Sequence, residues 1–133
     1  MATRLAPAAL SLMIVLATGW MISAILAPVR ITGNSMQPAL HAGDLAIVLK
    51  GGRVVPGEIA LIEDPVRGDF VHRVVALADD GALVTRGDAN PTEDAAAVSP
   101  SRVAGRVVGV VTFGRIAAAV AGARTHAVHS QLN

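Results

Sequence analysis

Residues 70–86 read FVHRVVALADDGALVTR, and this stretch decides the class of fold. Apolar residues alternate with other residues on both sides of Asp79–Gly81, which is a cluster typical of a tight turn. The alternation has the period of a β-strand whose successive side chains lie on opposite faces. The pattern therefore predicts a β-hairpin in which Phe70–Leu77 pairs with Ala82–Arg86.

Short runs of Val, Ile and Leu bounded by Gly, Pro and Asp continue outward from this hairpin, and they favour strands and turns over helices. Further strands are predicted at Leu45–Lys50, Glu58–Glu63 and Val103–Phe113, with turns at Gly51–Gly52, Pro56–Gly57 and Asp64–Pro65. Residues 88–100 contain two prolines and no apolar periodicity, so we expect a loop whose side chains are free to serve a site. Residues 116–121 are predicted to form a short helix or a membrane-surface segment. The fold class is mainly β.

The N-terminal segment has a different character, because the 25 residues Leu5–Val29 carry no charge. As a helix, Pro7–Ala27 alone would be roughly 30 Å long, which is enough to span a bilayer. Pro28 is expected to mark its far end, since the residue before a proline disfavours α geometry. A cleavable signal peptide is the alternative, although its apolar region should be only about 7–15 residues long. The chain thus divides into a membrane anchor (1–30), a β-rich domain (31–123) and a polar tail (124–133).

Composition excludes several classes of function. The 133 residues are 53% hydrophobic but only 2% aromatic, so aliphatic side chains must fill the core. A net charge of +1, with scattered charges, provides no field that would hold nucleic acid, and no nucleic-acid partner is expected. The chain has no cysteine, which excludes disulfides, thiolate metal sites and a cysteine nucleophile.

A serine with the context of a nucleophile follows the apolar segment. Residues 31–38 read ITGNSMQP and place Ser35 between small, flexible residues and a turn fixed by proline. Such a serine can be exposed, with neighbouring backbone N–H groups free to face an oxyanion. Most serines in this setting are solvated turn residues, so the assignment depends on finding a base.

His72 is the best candidate for that base. It shares a strand face with Phe70 and Val74, where a histidine is more often a hydrogen-bonded core residue, but an imidazole titrates near neutral pH as a general base must. His41 lies in a turn only six residues from Ser35 and is a second candidate. Lys50 is the sole lysine and ends a strand away from any turn motif, so it is a poor one.

Two aspartates lie in the loop after the hairpin. Either Asp88 or Asp94 could orient an imidazole, and an aspartate that accepts the second ring N–H would fix the tautomer. The alternative is an Asx-turn residue and a surface carboxylate. A calcium loop is rejected, because the sixth position of that pattern is Glu93 rather than glycine and the twelfth is Ser99 rather than glutamate.

Metal and cofactor sites are not expected. His126 and His129 have a spacing of three residues that metal ligands can use, but they lie in the polar tail without a third ligand. We interpret both as solvated, and the sequence predicts neither a metal nor a cofactor.

Three blocks of the chain, in this order, resemble the type I signal peptidases, which are membrane-anchored serine proteases that remove signal peptides from exported proteins. The blocks are Gly33–Pro38 with Gly43–Leu45, Val71–Val74, and Gly87–Asn90 with Asp94. The second block has His72 where the main bacterial enzymes have a lysine base, and in this it is similar to the archaeal and endoplasmic-reticulum branch. Directly before the third block, this chain has Arg86 where that branch has a lysine.

The resemblance implies a compact, largely β catalytic domain with Ser35 as nucleophile, His72 as general base, and Asp88 and Asp94 as acidic partners. We expect Asp94 to reach His72 and Asp88 to organise its own turn by accepting backbone N–H groups. Many family members have a hydroxyl residue where this chain has Gly33, so backbone N–H groups, including that of Ser35, are expected to carry more of the oxyanion stabilisation.

The expected substrate is a preprotein signal peptide, cleaved after small residues. If its extended backbone adds a strand beside the segment before Ser35, alternate side chains enter pockets. The residues expected to bind it are Gly33, Asn34, Met36 and Pro38, and Met36 is also expected at a membrane-facing surface. Further expected partners are the lipid bilayer and the secretion translocon, with the enzyme in the cell membrane and its catalytic domain extracytoplasmic.

Other functions remain open at this point. A self-cleaving repressor-type protease would need a lysine base and a DNA-binding module, and the sequence offers neither. A protease dedicated to a few secreted substrates would use the same chemistry. An inactive membrane-anchored module of a secretion assembly would keep the fold but lose one of the four residues implied to be catalytic, all of which are present.

Overall fold

The computed structural model describes residues 5–113, which form one N-terminal helix and one six-stranded sheet. All strand pairs are antiparallel, and the order across the sheet is β1-β2-β6-β3-β4-β5. A short 3₁₀ turn at Pro100–Arg102 precedes the last strand. The elements are α1 (Leu5–Ile25), β1 (Leu26–Arg30), β2 (Leu45–Lys50), β3 (Ile59–Ile62), β4 (Phe70–Leu77), β5 (Leu83–Arg86) and β6 (Val103–Val111).

The mainly β fold class is confirmed, as is the hairpin of β4 with β5. The predicted bounds of β2 and β4 agree with the structure, because both strands lie between clear turn residues. β3 is one residue shorter at each end than predicted, and β5 begins one residue later. β6 ends at Val111 rather than Phe113.

The helix was predicted to end at Pro28, and it ends earlier, since α1 ends at Ile25 and the chain continues directly as β1. The apolar run hides this change, because its residues suit a helix and a strand equally well. Pro28 explains it, since proline disfavours α geometry in the residue before it and lacks an N–H for a ladder. β1 is an edge strand, where a missing donor is tolerated. The boundary between helix and sheet therefore falls before Leu26.

Within α1, Pro7–Ile25 is long and apolar enough to span a membrane, with a mean hydropathy of 2.0. Its side chains are exposed, and none of that stretch is buried against the sheet. The hydroxyl groups of Ser11 and Thr18 donate to backbone carbonyls four residues earlier, at 2.9 and 2.8 Å. The helix therefore satisfies its own polar side chains, as an apolar environment requires.

The sheet has a buried cluster on each face, because neighbouring strand residues alternate between faces. On β3, Leu61 belongs to one cluster, whereas Ala60 and Ile62 belong to the other. The first cluster also contains Ile31, Met36, Leu40, Ala46, Val48 and Val71. The second also contains Val54, Val74, Leu83 and Val98.

Two predictions fall on the C-terminal part of the chain. The segment 116–121 and the tail 124–133, with His126 and His129, lie outside the described residues. The predictions for these segments stay predictions.

Candidate active site

Ser35 lies in the loop that joins β1 to β2. The loop is closed at its base, where the Ile31 N–H donates to the Asp44 carbonyl at 2.9 Å and the Gly43 N–H donates to the Ile31 carbonyl at 2.7 Å. Next to Ser35, Met36 is only 2% exposed and packs in the first cluster. A buried anchor beside a half-exposed serine fixes the position of the serine while leaving its hydroxyl accessible.

The turn after β5 holds Ser35 from the other side. The Ala89 N–H donates to the Ser35 carbonyl at 2.8 Å. Gly87 lies so close that a Cβ added to it would stand 2.6 Å from the Ser35 carbonyl oxygen and 3.0 Å from the Ser35 Cβ. Only glycine therefore allows this approach without displacing the serine.

His72 is placed by the sheet, since it lies within β4 and pairs with Ala60 of β3. Its Nε2 lies 3.2 Å from the Ser35 Oγ. The imidazole is 12% exposed, and the Phe70 ring packs edge-on against it with the centroids 5.0 Å apart. The base is thus a rigid, largely buried imidazole within hydrogen-bond distance of the serine hydroxyl.

Asp94 completes a line of three side chains. Its Oδ2 lies 2.6 Å from the His72 Nδ1. Because an ionised carboxylate can only accept, Nδ1 carries the proton that it donates. In a neutral imidazole this leaves Nε2 as the acceptor that faces the Ser35 hydroxyl. The arrangement can withdraw a proton from the serine and stabilise the resulting imidazolium.

Asp88 does not contact His72 and has a different environment. Its carboxylate accepts two hydrogen bonds from the Arg73 guanidinium, at 2.7 Å from Nε and 2.6 Å from Nη2. The Arg73 Nη1 also donates to the Gly57 carbonyl at 2.7 Å. The hydrogen bonds from Arg73 to Asp88 raise the pKa of the arginine. The expectation that Asp88 accepts backbone N–H groups was wrong, because a bidentate cation takes both of its oxygens.

The alternative bases lie elsewhere. His41 is largely exposed and its Nδ1 faces the Asp44 carboxylate at 3.9 Å. The Lys50 ammonium donates to the Ser23 carbonyl in the last turn of α1, at 2.8 Å. Within residues 5–113, neither side chain forms a hydrogen bond with Ser35.

The residues expected to bind substrate divide into two groups. Gly33, Asn34 and Pro38 are exposed around Ser35, and the Asn34 side chain accepts a hydrogen bond from Gln37 at 3.0 Å. Met36 is buried, so its expected place at a membrane-facing surface was wrong. The apolar side chain next to Ser35 packs into the sheet because it anchors the loop.

A groove of about 580 Å³ runs beside the line of three side chains. His72 and Asp94 form part of its wall, together with the β3–β4 turn and residues 95–98. The other charged side chains that line it are Asp64, Arg67, Asp69 and Arg102.

Sequence reasoning missed three residues that shape the site. Arg73 and Gly87 fix the position of the turn that carries Asp88, and Thr85 contacts Asp94. Gly87 could have been predicted, because a glycine directly after a strand can indicate that another segment of backbone approaches closely. Thr85 and Arg73 have the pattern of ordinary strand residues, and no local signal distinguishes them.

The chain matches the family model for signal peptidase, peptidase S26, over residues 4–89, which is about two thirds of its length. The matched region contains Ser35, His72 and Asp88, and it ends before Asp94. No curated protein shows significant similarity to the chain.

Proposed function

Because the chain belongs to the signal peptidase family, peptidase S26, we propose that it is a membrane-bound serine endopeptidase that removes N-terminal signal peptides from exported preproteins. Its proposed catalytic residues are Ser35, His72 and Asp94, with Asp88 supporting the site. The observation that carries the proposal is the continuous line from the Ser35 Oγ through His72 to the Asp94 carboxylate, with separations of 3.2 and 2.6 Å.

Acylation requires the serine proton to move before or as the bond to carbon forms. In the proposed first step, the Ser35 Oγ attacks the scissile carbonyl carbon while its proton passes to the His72 Nε2. Asp94 stabilises the imidazolium through Nδ1. The C–N bond then breaks, the amine of the mature protein leaves with the proton from Nε2, and the signal peptide stays as an ester on Ser35.

Hydrolysis of the ester repeats the proton transfers with water. His72 takes a proton from water, the hydroxide attacks the ester carbonyl, and the Ser35 oxygen leaves with that proton. The signal peptide is released as a carboxylic acid, which loses its proton to water and becomes a carboxylate. The developing oxyanion in both halves needs donors, and the Ser35 N–H makes no hydrogen bond within the described part of the chain, which makes it available for that role.

A histidine base of the kind found in the archaeal and endoplasmic-reticulum branch is supported by the position of the only lysine. Lys50 ends β2 beside α1, and its ammonium is engaged with the Ser23 carbonyl. A Ser–Lys mechanism would need a buried lysine that has lost its proton, and Lys50 is exposed.

Cleavage after small residues is the proposed specificity. Thr32 and Gly33, three and two residues before Ser35, are exposed and make no backbone hydrogen bonds within residues 5–113, so their N–H and C=O groups can pair with an extended substrate. Alternate substrate side chains would then meet the loop and the aliphatic residues beneath it. Aliphatic walls exclude bulk but discriminate weakly among small side chains.

The proposed location is the membrane, with α1 as an uncleaved anchor and the sheet on the extracytoplasmic side. The helix continues into β1 without an intervening linker, so the catalytic domain would be held at the membrane surface. A signal peptide can be cut only after its cleavage site has crossed, which places the site on that side. Protease treatment of sealed vesicles tests this, and a domain shielded together with cytoplasmic markers would contradict it.

The decisive test of function is cleavage of a preprotein by the detergent-solubilised chain. We expect the native protein to release the signal peptide and Ser35→Ala to release none, while Ser101→Ala, an exposed serine far along the chain, serves as the matched control. Mass spectrometry of both products identifies the cleaved bond, which should follow a small residue. Equal cleavage by native protein and Ser35→Ala would exclude Ser35 as the nucleophile. Absence of cleavage by the native protein would favour an inactive module, and cleavage of only a few preproteins a dedicated protease.

A further inference from the structure

Thr85 is a fully buried polar side chain at the edge of the site. Its Oγ1 donates to the Asp94 Oδ2 at 2.6 Å, and this is the same oxygen that lies 2.6 Å from the His72 Nδ1. The backbone joins the same two residues, since the Asp94 N–H donates to the Thr85 carbonyl at 2.8 Å. Two hydrogen bonds therefore attach a loop aspartate to a strand residue.

We propose that Thr85 is a positioning residue that holds the Asp94 carboxylate in line with His72, an inference that rests on the function proposed above. Asp94 lies in an irregular segment that does not by itself fix a side chain. Thr85 lies in β5 and pairs with Val74 of β4, two residues after His72. The sheet thus fixes the distance between the hydroxyl and the imidazole, and the carboxylate is held between them.

The hydroxyl also affects the charge that His72 meets. A carboxylate oxygen that accepts a donor from Thr85 has less of its negative charge available to the imidazolium. Without that donor, the carboxylate would hold the imidazolium more firmly, and a higher pH would be needed to produce the neutral base. Thr85 therefore acts on both the direction and the strength of the contact between Asp94 and His72.

Thr85→Val tests this, because valine keeps the shape of threonine and removes only the hydroxyl. We expect kcat for preprotein cleavage to fall by about ten- to a hundredfold, the range for a hydrogen bond to an ionised group. KM should stay unchanged, because Thr85 lies behind Asp94 and does not touch the substrate. Thr85→Ser should restore most of the rate, and Thr92→Val, an exposed threonine of the same loop, is the matched control.

The pH dependence separates positioning from a merely structural role. In Thr85→Val the acidic midpoint of the kcat/KM profile should move to higher pH, and Thr85→Ser should return it. The other charged side chains that line the groove beside His72 are Asp64, Arg67, Asp69 and Arg102, and the Arg73–Asp88 pair lies on the opposite face of β4. The substitution leaves all of them in place. A loss of folding alone would lower the amount of active enzyme without moving this midpoint.

Nuclear magnetic resonance titration of the His72 ring gives a result that does not depend on cleavage. An upward shift of its midpoint in Thr85→Val that Thr85→Ser reverses supports an action of the Thr85 hydroxyl on the contact between Asp94 and His72, even if the native chain cleaves no preprotein, in which case only the proposed function fails. If the native chain is active and Thr85→Val matches it in kcat and in both midpoints, the inference is overturned. A lower kcat that Thr85→Ser does not restore would also overturn it.

Discussion

Each face of β4 carries a contact between a basic side chain and an aspartate, and the two contacts serve different purposes. On one face His72 meets Asp94, and on the other, one residue later, Arg73 meets Asp88. Both aspartates come from the loop after β5, and both contacts are 2.6 Å long. The difference is in the cation, since an imidazole can lose its proton near neutral pH and a guanidinium cannot.

This difference assigns the two contacts to different tasks. A pair whose cation exists only when the imidazole is protonated can follow a proton through a reaction. A permanent bidentate pair can only hold two segments together. From β4, Arg73 donates to the Gly57 carbonyl and to Asp88 in the turn after β5. The next residue of that turn, Ala89, donates its N–H to the Ser35 carbonyl. One face of the strand is therefore suited to chemistry and the other to the placement of the nucleophile.

The largest effect that separates the two faces is expected for Asp94→Asn. Asparagine keeps the shape but removes the charge that fixes the tautomer and stabilises the imidazolium, so turnover should fall by about 10⁴. The melting temperature should stay almost unchanged, because the backbone bond from residue 94 to Thr85 remains. Peptide cleavage and thermal unfolding of the same preparation check both parts. Full activity would reduce the site to a Ser35–His72 dyad.

His72→Ala comes next, with an expected loss of about 10²–10⁴ in turnover, as is usual when a general base is removed. His41→Ala is the matched control and should keep most of the activity, since His41 faces Asp44 rather than Ser35. His72→Lys should not rescue the enzyme, because a lysine beside Asp94 would keep its proton. Comparison of kcat for the three variants decides the base. An essential His41 with a dispensable His72 would refute the assignment.

The sequence predicted the strands well where turns delimit them and poorly where they do not. β2 and β4 lie between Gly, Asp and Pro residues, so their ends were visible. β1 was missed because its residues continue the apolar run of α1, and only Pro28 marks the change. Whether such residues continue a helix or pair with β2 depends on tertiary contacts that local pattern does not contain.

Within the site, the residue types and the contact of Asp94 with His72 agree with the sequence-based expectation, whereas Arg73 as the partner of Asp88 was not predicted. The choice of Asp88 or Asp94 for His72 depends on the register of β4 with β5, which shifts between Val74 and Ala76. Such a bulge changes which side chains face each other. The position of this register shift cannot be predicted from the length of the hairpin in the sequence.

Asp88→Asn tests the face of β4 that carries the Arg73–Asp88 pair, and it should lower the stability of the fold moderately. It removes one charge from a pair that is 33% exposed at Arg73 and 17% exposed at Asp88, so we expect a loss of about 1 kcal/mol. For a domain of this size this corresponds to a melting temperature lower by about 4–8 °C. Turnover should fall less than in Asp94→Asn, through displacement of Ser35. Glu93→Gln, an exposed carboxylate of the same loop, is the control.

The pH dependence of this contribution follows from the raised pKa of Arg73. A cation whose pKa is raised on folding contributes its full stability below its unfolded pKa, and it loses this stability only as the pH rises through the higher folded pKa. Arg73 therefore stays charged between pH 6 and 9, and the stability that it contributes to the pair does not change over this range. An unaltered melting temperature in Asp88→Asn would show that the Arg73–Asp88 pair does not hold the fold. Stability lost in Asp94→Asn, with only activity lost in Asp88→Asn, would exchange the roles of the two aspartates.

The smallest effect is expected for substitution of Asp64, a third carboxylate, which lies in the turn between β3 and β4. Asp64 serves only as a structural reference for Asp88 and Asp94. Its Oδ1 accepts the N–H groups of Val66 and Arg67 at 2.9 and 3.1 Å, and these bonds, with help from Arg102, lower its pKa below the ordinary 3.8. A carboxyl whose pKa is lowered on folding contributes stability above its unfolded value, and that contribution is lost as the pH falls through the folded value. At pH 7, Asp64→Asn should therefore be slightly less stable than the native chain, and its loss of stability should be smaller than that of Asp88→Asn. The deficit should shrink below about pH 4 and disappear in stronger acid. Urea unfolding of Asp64→Asn and of the control Asp69→Asn across pH 2.5–7 measures it, and a deficit that grows on acidification would contradict the structural role assigned to this carboxylate.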